Sequence, residues 1–196
     1  MAYASGGQQN MLPQAKPIQI IDAIRERLER GPFSEMDFAR FTREAEKMKK
    51  SDPATAYDAL GALACIRGDI DGVHANHKRS IKAAENPSTA WYNYAVSLAF
   101  MTKYIESIEA AIRALNSDGT NVAALGLIIQ TSHTIGDIES MNSWLEKWHK
   151  LTEERHPVED LLLEDADDAE LVDEALADVE ANGAIPWEKL KAELNL

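Results

Sequence analysis

Two histidines lie at a spacing that could serve metal chemistry. His74 and His77 stand three residues apart in a segment typical of a helix, so both rings could reach one ion. No HExxH motif, cysteine pair or third ligand accompanies them, and His77 falls on the face expected to pack against a neighbouring helix. We therefore interpret both histidines as structural residues and predict neither a metal site nor a cofactor.

A cysteine and a distant histidine form a second candidate for chemistry. Cys65 and His133 could act as nucleophile and base, but the sequence identifies no third group that would orient the histidine. Cysteine is also among the residue types most often buried in proteins. The acids between positions 165 and 170 lack the glycine and the spacing of a calcium-binding loop, and are interpreted as a solvated face. We predict a protein that is not an enzyme.

The net charge of −13 is concentrated towards the C-terminus. Residues 157 to 182 contain eleven Asp and Glu and no Lys or Arg, which leaves 22 acids and 20 bases in the rest of the sequence. An acidic surface without a compensating basic stripe repels phosphate backbones, so we predict no nucleic-acid partner. Charge complementarity makes a small basic protein the natural partner of this segment.

The sequence carries no recognisable signal for export or for membrane insertion. Residues 1–16 combine neither a basic start nor an apolar run, and we interpret them as a flexible leader. The longest apolar run, residues 122–129, is far shorter than the roughly 18 residues of a membrane span. The single cysteine forms no internal disulfide. We predict a cytoplasmic protein that does not contact membranes.

A regular spacing relates three consecutive segments. The sequence Gly-Asp-Ile at 68–70 returns at 136–138, which is two steps of about 34 residues further along the chain. In each segment this repeat spacing predicts two helices: Asp52 and Pro53 start the first helix, Gly68 ends it, and Ile70 opens the second. The equivalent positions are Pro53 and Pro87; Tyr57, Trp91 and Leu125; Leu60, Tyr94 and Ile128; Gly68, Thr102 and Gly136; and Ile70, Tyr104 and Ile138.

These positions resemble those of the tetratricopeptide repeat (TPR), a helix-turn-helix unit of about 34 residues. The stretch "YDALGALACIRGD" places Tyr57, Leu60 and Gly61 at the aromatic, leucine and glycine positions of the repeat, and "WYNYAVSLAFMTKY" is nearly as similar. The third segment departs from the pattern, with Ile129 at a small-residue position and Trp148 where the family prefers alanine. The resemblance implies an all-α, right-handed helix-turn-helix repeat solenoid.

The sequence is predicted to divide into four parts. Residues 1–16 are the leader, and residues 17–53 form an N-terminal helix pair or degenerate repeat, with Ser34 and Asp37 as a capping box. Three TPR-like repeats occupy residues 54–156. Residues 157–196 form an acidic helical tail.

The resemblance implies a groove lined by the first helix of each repeat. Many members bind the C-terminal carboxylate of a chaperone there, using Lys, Arg and Asn side chains. Asn93 fits that pattern, but Asp58, Ala62 and Leu127 stand where the other basic or amide groups would lie. We therefore expect an apolar groove for an amphipathic helix or an extended peptide, unless these side chains belong to the core between repeats. The expected partner-binding residues are Ala62, Cys65, Ile66, Tyr92, Asn93, Val96, Phe100, Leu127, Gln130 and His133.

The tail carries a second resemblance. Its end, "ALADVEANGAIPWEKLKAELNL", is similar to the C-terminal segments of antitoxins from bacterial toxin–antitoxin modules, although those proteins usually carry an N-terminal DNA-binding domain. The resemblance implies a bacterial source and a tail that wraps a basic toxin. The apolar residues Leu176, Val179, Trp187, Leu190 and Leu194 either bind such a partner or cap the last repeat.

Two functional hypotheses follow from the sequence. The first is a protein-binding adaptor or chaperone that holds a partner peptide or helix in the apolar groove. The second is an antitoxin-like inhibitor that sequesters a small basic protein through its acidic tail.

Overall fold

A computed structural model describes residues 19–163 and five further residues at positions 168, 171, 173, 174 and 177. In this part of the chain every regular element is helical, and residues 157–163 form a further short helical stretch. The eight main helices are α1 (Ile20–Glu29), α2 (Glu35–Met48), α3 (Pro53–Ile66), α4 (Ile70–Ala83), α5 (Ser88–Phe100), α6 (Tyr104–Ser117), α7 (Val122–Thr134) and α8 (Ile138–Leu151).

The predicted repeat spacing is present in the helices themselves. The second helices of the three repeats, α4, α6 and α8, begin at Ile70, Tyr104 and Ile138. Each follows a turn residue in the left-handed backbone region, with φ of 74° at Gly68, 60° at Thr102 and 73° at Gly136. The three repeats therefore share one turn geometry, although only two of them supply glycine for it.

The turn between the paired helices is held by the same two hydrogen bonds in each repeat. In the first, the N–H of Gly68 donates to the carbonyl of Cys65 at 2.9 Å, and that of Asp69 donates to the carbonyl of Ala64 at 2.9 Å. Thr102 and Lys103 repeat the arrangement after α5, as do the corresponding residues after α7. These bonds satisfy the last carbonyls of the first helix and so define where it ends.

The helix starts follow the capping chemistry expected from the sequence, with one exception. The Ser34–Asp37 capping box is confirmed, and Asp52 accepts a hydrogen bond from the N–H of Thr55 at 3.1 Å. The predicted recurrence of that start in the second repeat is wrong in detail, because α5 begins just after Pro87 and not at it. Asn86 instead accepts from the N–H of Ser88 at 3.0 Å, closing a short turn before the helix.

The chain divides into two compact units between Ser117 and Asp118. In the first unit, Ile24 of α1, Phe38 and Phe41 of α2, and Leu63 of α3 belong to one buried cluster. In the second unit, α7 and α8 pack together and Val158 is also buried. No helix in the described ranges is long and apolar enough to cross a membrane.

Candidate partner-binding pocket

A cavity of about 140 Å³ opens in the first unit, lined by α1, α3 and α5, with one residue from α4. Its lining combines aliphatic and aromatic side chains with an equal number of polar or partly polar ones. The apolar lining residues are Ile21, Ile24, Leu28, Ala62, Ile66, Val96 and Phe100. The polar or partly polar ones are Arg25, Asp58, Cys65, His77, Tyr92, Asn93 and Ser97. We call this cavity the α1/α3/α5 pocket.

The structure brings together seven of the ten groove residues expected from the sequence. Those that line the α1/α3/α5 pocket are Ala62, Cys65, Ile66, Tyr92, Asn93, Val96 and Phe100. The other three lie on α7 in the second unit, where Leu127 and His133 are half-buried and Gln130 is exposed. The role of all ten residues in partner binding stays a prediction.

Helix α1 contributes a wall that the repeat pattern did not reveal. Ile21, Ile24 and Leu28 line the pocket from this helix, and Arg25 lies among them. The available signal was their spacing at i, i+3 and i+7, which places them on one helical face. Because residues 17–53 keep the repeat pattern poorly, the sequence indicated a helix pair or degenerate repeat there and no binding role.

Two large apolar side chains of the pocket remain open to solvent. Phe100 is 62% exposed and Val96 is 40% exposed, whereas their helix neighbours Tyr94, Ala95 and Leu98 are buried in the core. A side chain that belonged to the core between repeats would be covered. The outward face of α5 therefore presents apolar surface beside a cavity, which is a common property of binding sites.

A hydrogen-bonded polar group forms the floor of the pocket. Asp58 Oδ1 lies 3.1 Å from His77 Nδ1, His77 Nε2 lies 2.9 Å from Ser97 Oγ, and Asn93 Nδ2 donates to Asp58 Oδ2 at 2.8 Å. The exposed fractions are 4% for Asp58, 1% for His77 and 5% for Ser97. We call these four residues the polar floor. It joins α3, α4 and α5, so residues from two repeats are fixed relative to one another.

A glycine in α3 creates the space for the histidine of the polar floor. A Cβ atom added at Gly61 would lie 2.6 Å from His77 Nε2 and less than 3.0 Å from two ring carbons. The other candidate metal ligand, His74, instead shares a hydrogen bond with the hydroxyl of Tyr94. Within the described residues, no three His, Cys, Asp or Glu side chains gather where they could hold a metal ion.

The order Asp58–His77–Ser97 matches the connectivity of a serine hydrolase triad. Ser97 lies inside α5, where backbone N–H groups donate to carbonyls of the preceding turn and so do not point at a bound oxyanion. The side-chain amide of Asn93 is likewise engaged, by Asp58. These donors are therefore engaged within the fold, unlike the free oxyanion donors of an acyl-transfer centre.

The thiol of Cys65 is covered and engaged in a hydrogen bond. It is buried, and its Sγ atom donates to the carbonyl of Ser97 at 3.3 Å. Burial raises the pKa of the Cys65 thiol to about 11. Since the thiolate is the nucleophile, a neutral thiol at neutral pH does not support the covalent chemistry considered for this residue.

In the second unit, the segment before the tail packs on the α7–α8 pair. The indole N–H of Trp148 donates to the carbonyl of Glu154 at 2.7 Å, and its ring meets that of His156 edge-on at 4.8 Å. A Cβ at Gly126 would lie 3.2 Å from Trp148 and 3.4 Å from His156. The tryptophan that departs from the repeat pattern therefore contacts the residues that lead into the tail.

The predicted tail residues lie outside the described part of the chain. They are Leu176, Val179, Trp187, Leu190 and Leu194. The tail positions that the structure does describe beyond residue 163 are exposed, and they include Asp168, Asp173 and Glu174.

Paired helices that recur at the repeat spacing define a TPR-like helical-repeat fold. Among solved structures, the crystal structure of MamA, a TPR-like protein, is similar with a TM-score of 0.50, 17% sequence identity, and coverage of 70% of this chain and 77% of that one. This likeness confirms the predicted all-α helical-repeat fold class. No family model and no curated protein matches the sequence, and the antitoxin resemblance of the tail gains no support.

Proposed function

We propose that the protein is a non-catalytic adaptor or chaperone that holds a helix or peptide of a partner protein in the α1/α3/α5 pocket. The observation that carries this proposal is the pair of exposed apolar side chains, Phe100 and Val96, beside an apolar cavity. Exposed apolar surface of this kind is stabilised when a partner covers it.

The dimensions of the pocket suit side-chain anchors from an amphipathic helix. Burial of one apolar side chain contributes about 1.5–3 kcal/mol, which does not by itself overcome the loss of rotational and translational freedom on association. Several anchors are therefore required. A helix supplies them at i, i+3 or i+4, and i+7, along the face lined by Phe100 and Ile66.

The test is capture of a partner from a lysate of the source organism, using the full chain and its Phe100→Glu variant, with mass spectrometry to identify bound proteins. Burial of a carboxylate without a counter-charge is strongly unfavourable. We therefore expect the variant to retain less than about one tenth of the partner protein that the unaltered chain retains. The matched control is Ile105→Glu on α6, because Ile105 is 61% exposed and does not line the pocket.

Retention of the same proteins by both variants contradicts the proposal. The experiment also separates this proposal from the inhibitor hypothesis when a chain ending at Leu163 is added. A small basic protein that binds the full chain and both variants, yet is lost on removal of residues 164–196, would assign binding to the acidic tail.

A further inference from the structure

We propose that the α1/α3/α5 pocket takes a basic side chain of the partner, an Arg or Lys whose cationic head contacts Asp58 while its aliphatic stem lies along the apolar walls. The inference rests on the proposed function and specifies the chemistry of the anchor residue. The geometry that carries it is a buried carboxylate at the floor of an apolar pocket.

The polar floor contains one carboxylate and no side chain with a permanent positive charge, because His77, whose Nδ1 lies 3.1 Å from Asp58 Oδ1, is charged only when protonated. His77 also contacts the hydroxyl of Ser97 through Nε2. The second donor to Asp58 is the uncharged amide of Asn93. A carboxylate can accept about four hydrogen bonds, so each Asp58 oxygen retains capacity for one more donor.

Among the described residues that line the pocket, His77 is the titratable group that faces Asp58, and it carries no permanent charge. Arg25 is the one with a permanent positive charge, and its guanidinium pairs with Asp22 at 3.4 Å in a largely exposed position. That pair lies in a solvated setting, where its field is screened. Asp58 is instead buried, with only 4% of its surface exposed, so the charge of its carboxylate is screened much less.

The end of the anchor that reaches Asp58 decides which chemistry fits the floor. A hydrocarbon end offers this buried carboxylate no hydrogen bond, and burial of a charge without a counter-charge is strongly unfavourable. An acidic end adds repulsion to that penalty. A cationic end supplies both a counter-charge and a charge-assisted hydrogen bond.

The walls match the remainder of an Arg or Lys side chain. Ile21, Leu28 and Ile66 provide aliphatic surface for a chain of methylene groups, which such residues bury while the charged end finds a polar partner. Tyr92 and Phe100 add aromatic faces, which attract cations. Both parts of a basic side chain therefore find complementary surface in one pocket.

The experiment uses three small probes of the same length, n-pentylammonium, n-pentanol and n-pentanoate, titrated at neutral pH into the full-length ¹⁵N-labelled chain. Amide chemical shifts of α3 and α5 report occupation of the pocket. Pentanol and pentylammonium can both donate to Asp58, but only the ammonium adds the attraction between opposite charges, so we expect it to bind about tenfold more tightly than pentanol. Pentanoate is expected to bind most weakly.

The variant Asp58→Asn tests the residue, and Asp71→Asn, which removes an exposed carboxylate from α4, is the matched control. The preference for the ammonium should disappear in Asp58→Asn and persist in Asp71→Asn. If Asp58→Asn fails to fold, as judged by circular dichroism, the ranking of the three probes on the unaltered chain still decides.

Equal affinity for pentanol and pentylammonium overturns the inference and leaves the apolar pocket of the proposed function intact. A preference for the ammonium that survives Asp58→Asn also overturns the assignment to this residue. Absence of pocket shifts with all three probes also overturns the inference, whereas the proposed function, which requires several anchors, is decided separately by capture with the Phe100→Glu variant.

Discussion

The single cysteine gives a direct test of burial at the level of one residue. Its thiol is covered, its pKa is raised to about 11, and Sγ donates to a carbonyl of the next repeat. We expect Cys65 to resist alkylation by iodoacetamide at neutral pH in the folded protein and to react fully in denaturant, since thiolate and access are both needed. Mass spectrometry of the intact chain provides the measurement. Rapid modification under native conditions would contradict the buried position.

Gly61 is a position where the absence of a side chain is required. Replacement of a helical glycine by alanine ordinarily stabilises a protein by about 1 kcal/mol through helix propensity. At Gly61 the new Cβ would meet the buried ring of His77 at 2.6 Å. We therefore expect Gly61→Ala to lower the free energy of unfolding by about 1–3 kcal/mol, measured by urea denaturation. A stabilised variant would show that His77 has room to move.

The buried environment of His156 predicts that the stability of the protein depends on pH. Burial lowers the pKa of this histidine below its ordinary value. A hydrogen bond to the backbone of Gly126 and the charge of Glu159 raise the pKa by a smaller amount. The unfolded chain therefore binds protons first as pH falls, so stability is complete above about pH 6.5 and declines below it. Urea unfolding from about pH 7.5 to about pH 5.5 measures the decline.

We expect His156→Gln to reduce that pH dependence. The matched control is His149→Gln, because His149 is nearly half exposed and lies 3.2 Å from Glu159 at the surface of α8. The control should leave the decline in place. An equal decline in the unaltered protein and in His156→Gln would assign it to other groups.

At the scale of the helix pair, the middle repeat contains a residue poorly suited to its turn. Thr102 adopts a φ of 60°, where a β-branched side chain is unfavourable by about 1–2 kcal/mol. The first and third repeats place glycine there. We expect Thr102→Gly to raise the free energy of unfolding by about 0.5–1 kcal/mol, after allowance for the greater freedom of glycine in the unfolded chain.

Thr89 provides the comparison for this prediction, since it lies in the first turn of α5 with ordinary helical geometry. Thr89→Gly should lower stability by a few tenths of a kcal/mol through loss of helix propensity. Thermal denaturation of both variants is the measurement. A Thr102→Gly variant that is no more stable than the original would indicate that other contacts of Thr102 offset the strain.

The repeat elements were predictable because their signals are local. Turn residues at 68, 102 and 136, and capping residues such as Asp52, specify helix ends through bonds to atoms nearby in the sequence. The start of α5 was misplaced by one position because Asn86 closes its own turn and does not cap the helix. Local hydrogen bonds thus determine the first and last residues of each helix to within about one residue.

The candidate site was predictable only where the repeat register extends. The repeat register predicted seven of the residues that line the pocket. It did not predict the lining residues of α1, because that helix lies in a segment that keeps the repeat pattern poorly. The polar floor was also missed, because Asp58, His77 and Ser97 come from three helices and their pairing depends on contacts between distant residues. A sequence shows which side chains are polar but not which of them meet.

At the scale of the whole molecule, the uneven distribution of charge predicts how salt affects binding. A partner held by the acidic residues 157–182 should elute as sodium chloride is raised, because exposed charges are screened beyond about 8 Å at physiological ionic strength. A partner held mainly by apolar contacts in the α1/α3/α5 pocket should resist that elution. Stepwise elution of captured proteins, followed by mass spectrometry, separates the two classes.

Salt elution and the Phe100→Glu variant together distinguish the two modes of binding. A protein that needs Phe100 for capture and yet elutes at low salt would contradict a mainly apolar mode of binding. A protein that resists salt and is lost on removal of residues 164–196 would contradict a purely electrostatic role for the tail.

The position of the α1/α3/α5 pocket along the chain has a consequence for protein synthesis. Every residue that lines it lies between Ile21 and Phe100. Translation proceeds from the N-terminus, and domains fold as units as they emerge. The parts of the pocket are therefore all present outside the ribosome before the third repeat is complete. A partner that binds in this pocket could therefore bind the nascent chain. The concentration of that partner during translation would then determine whether the pocket is filled before synthesis ends.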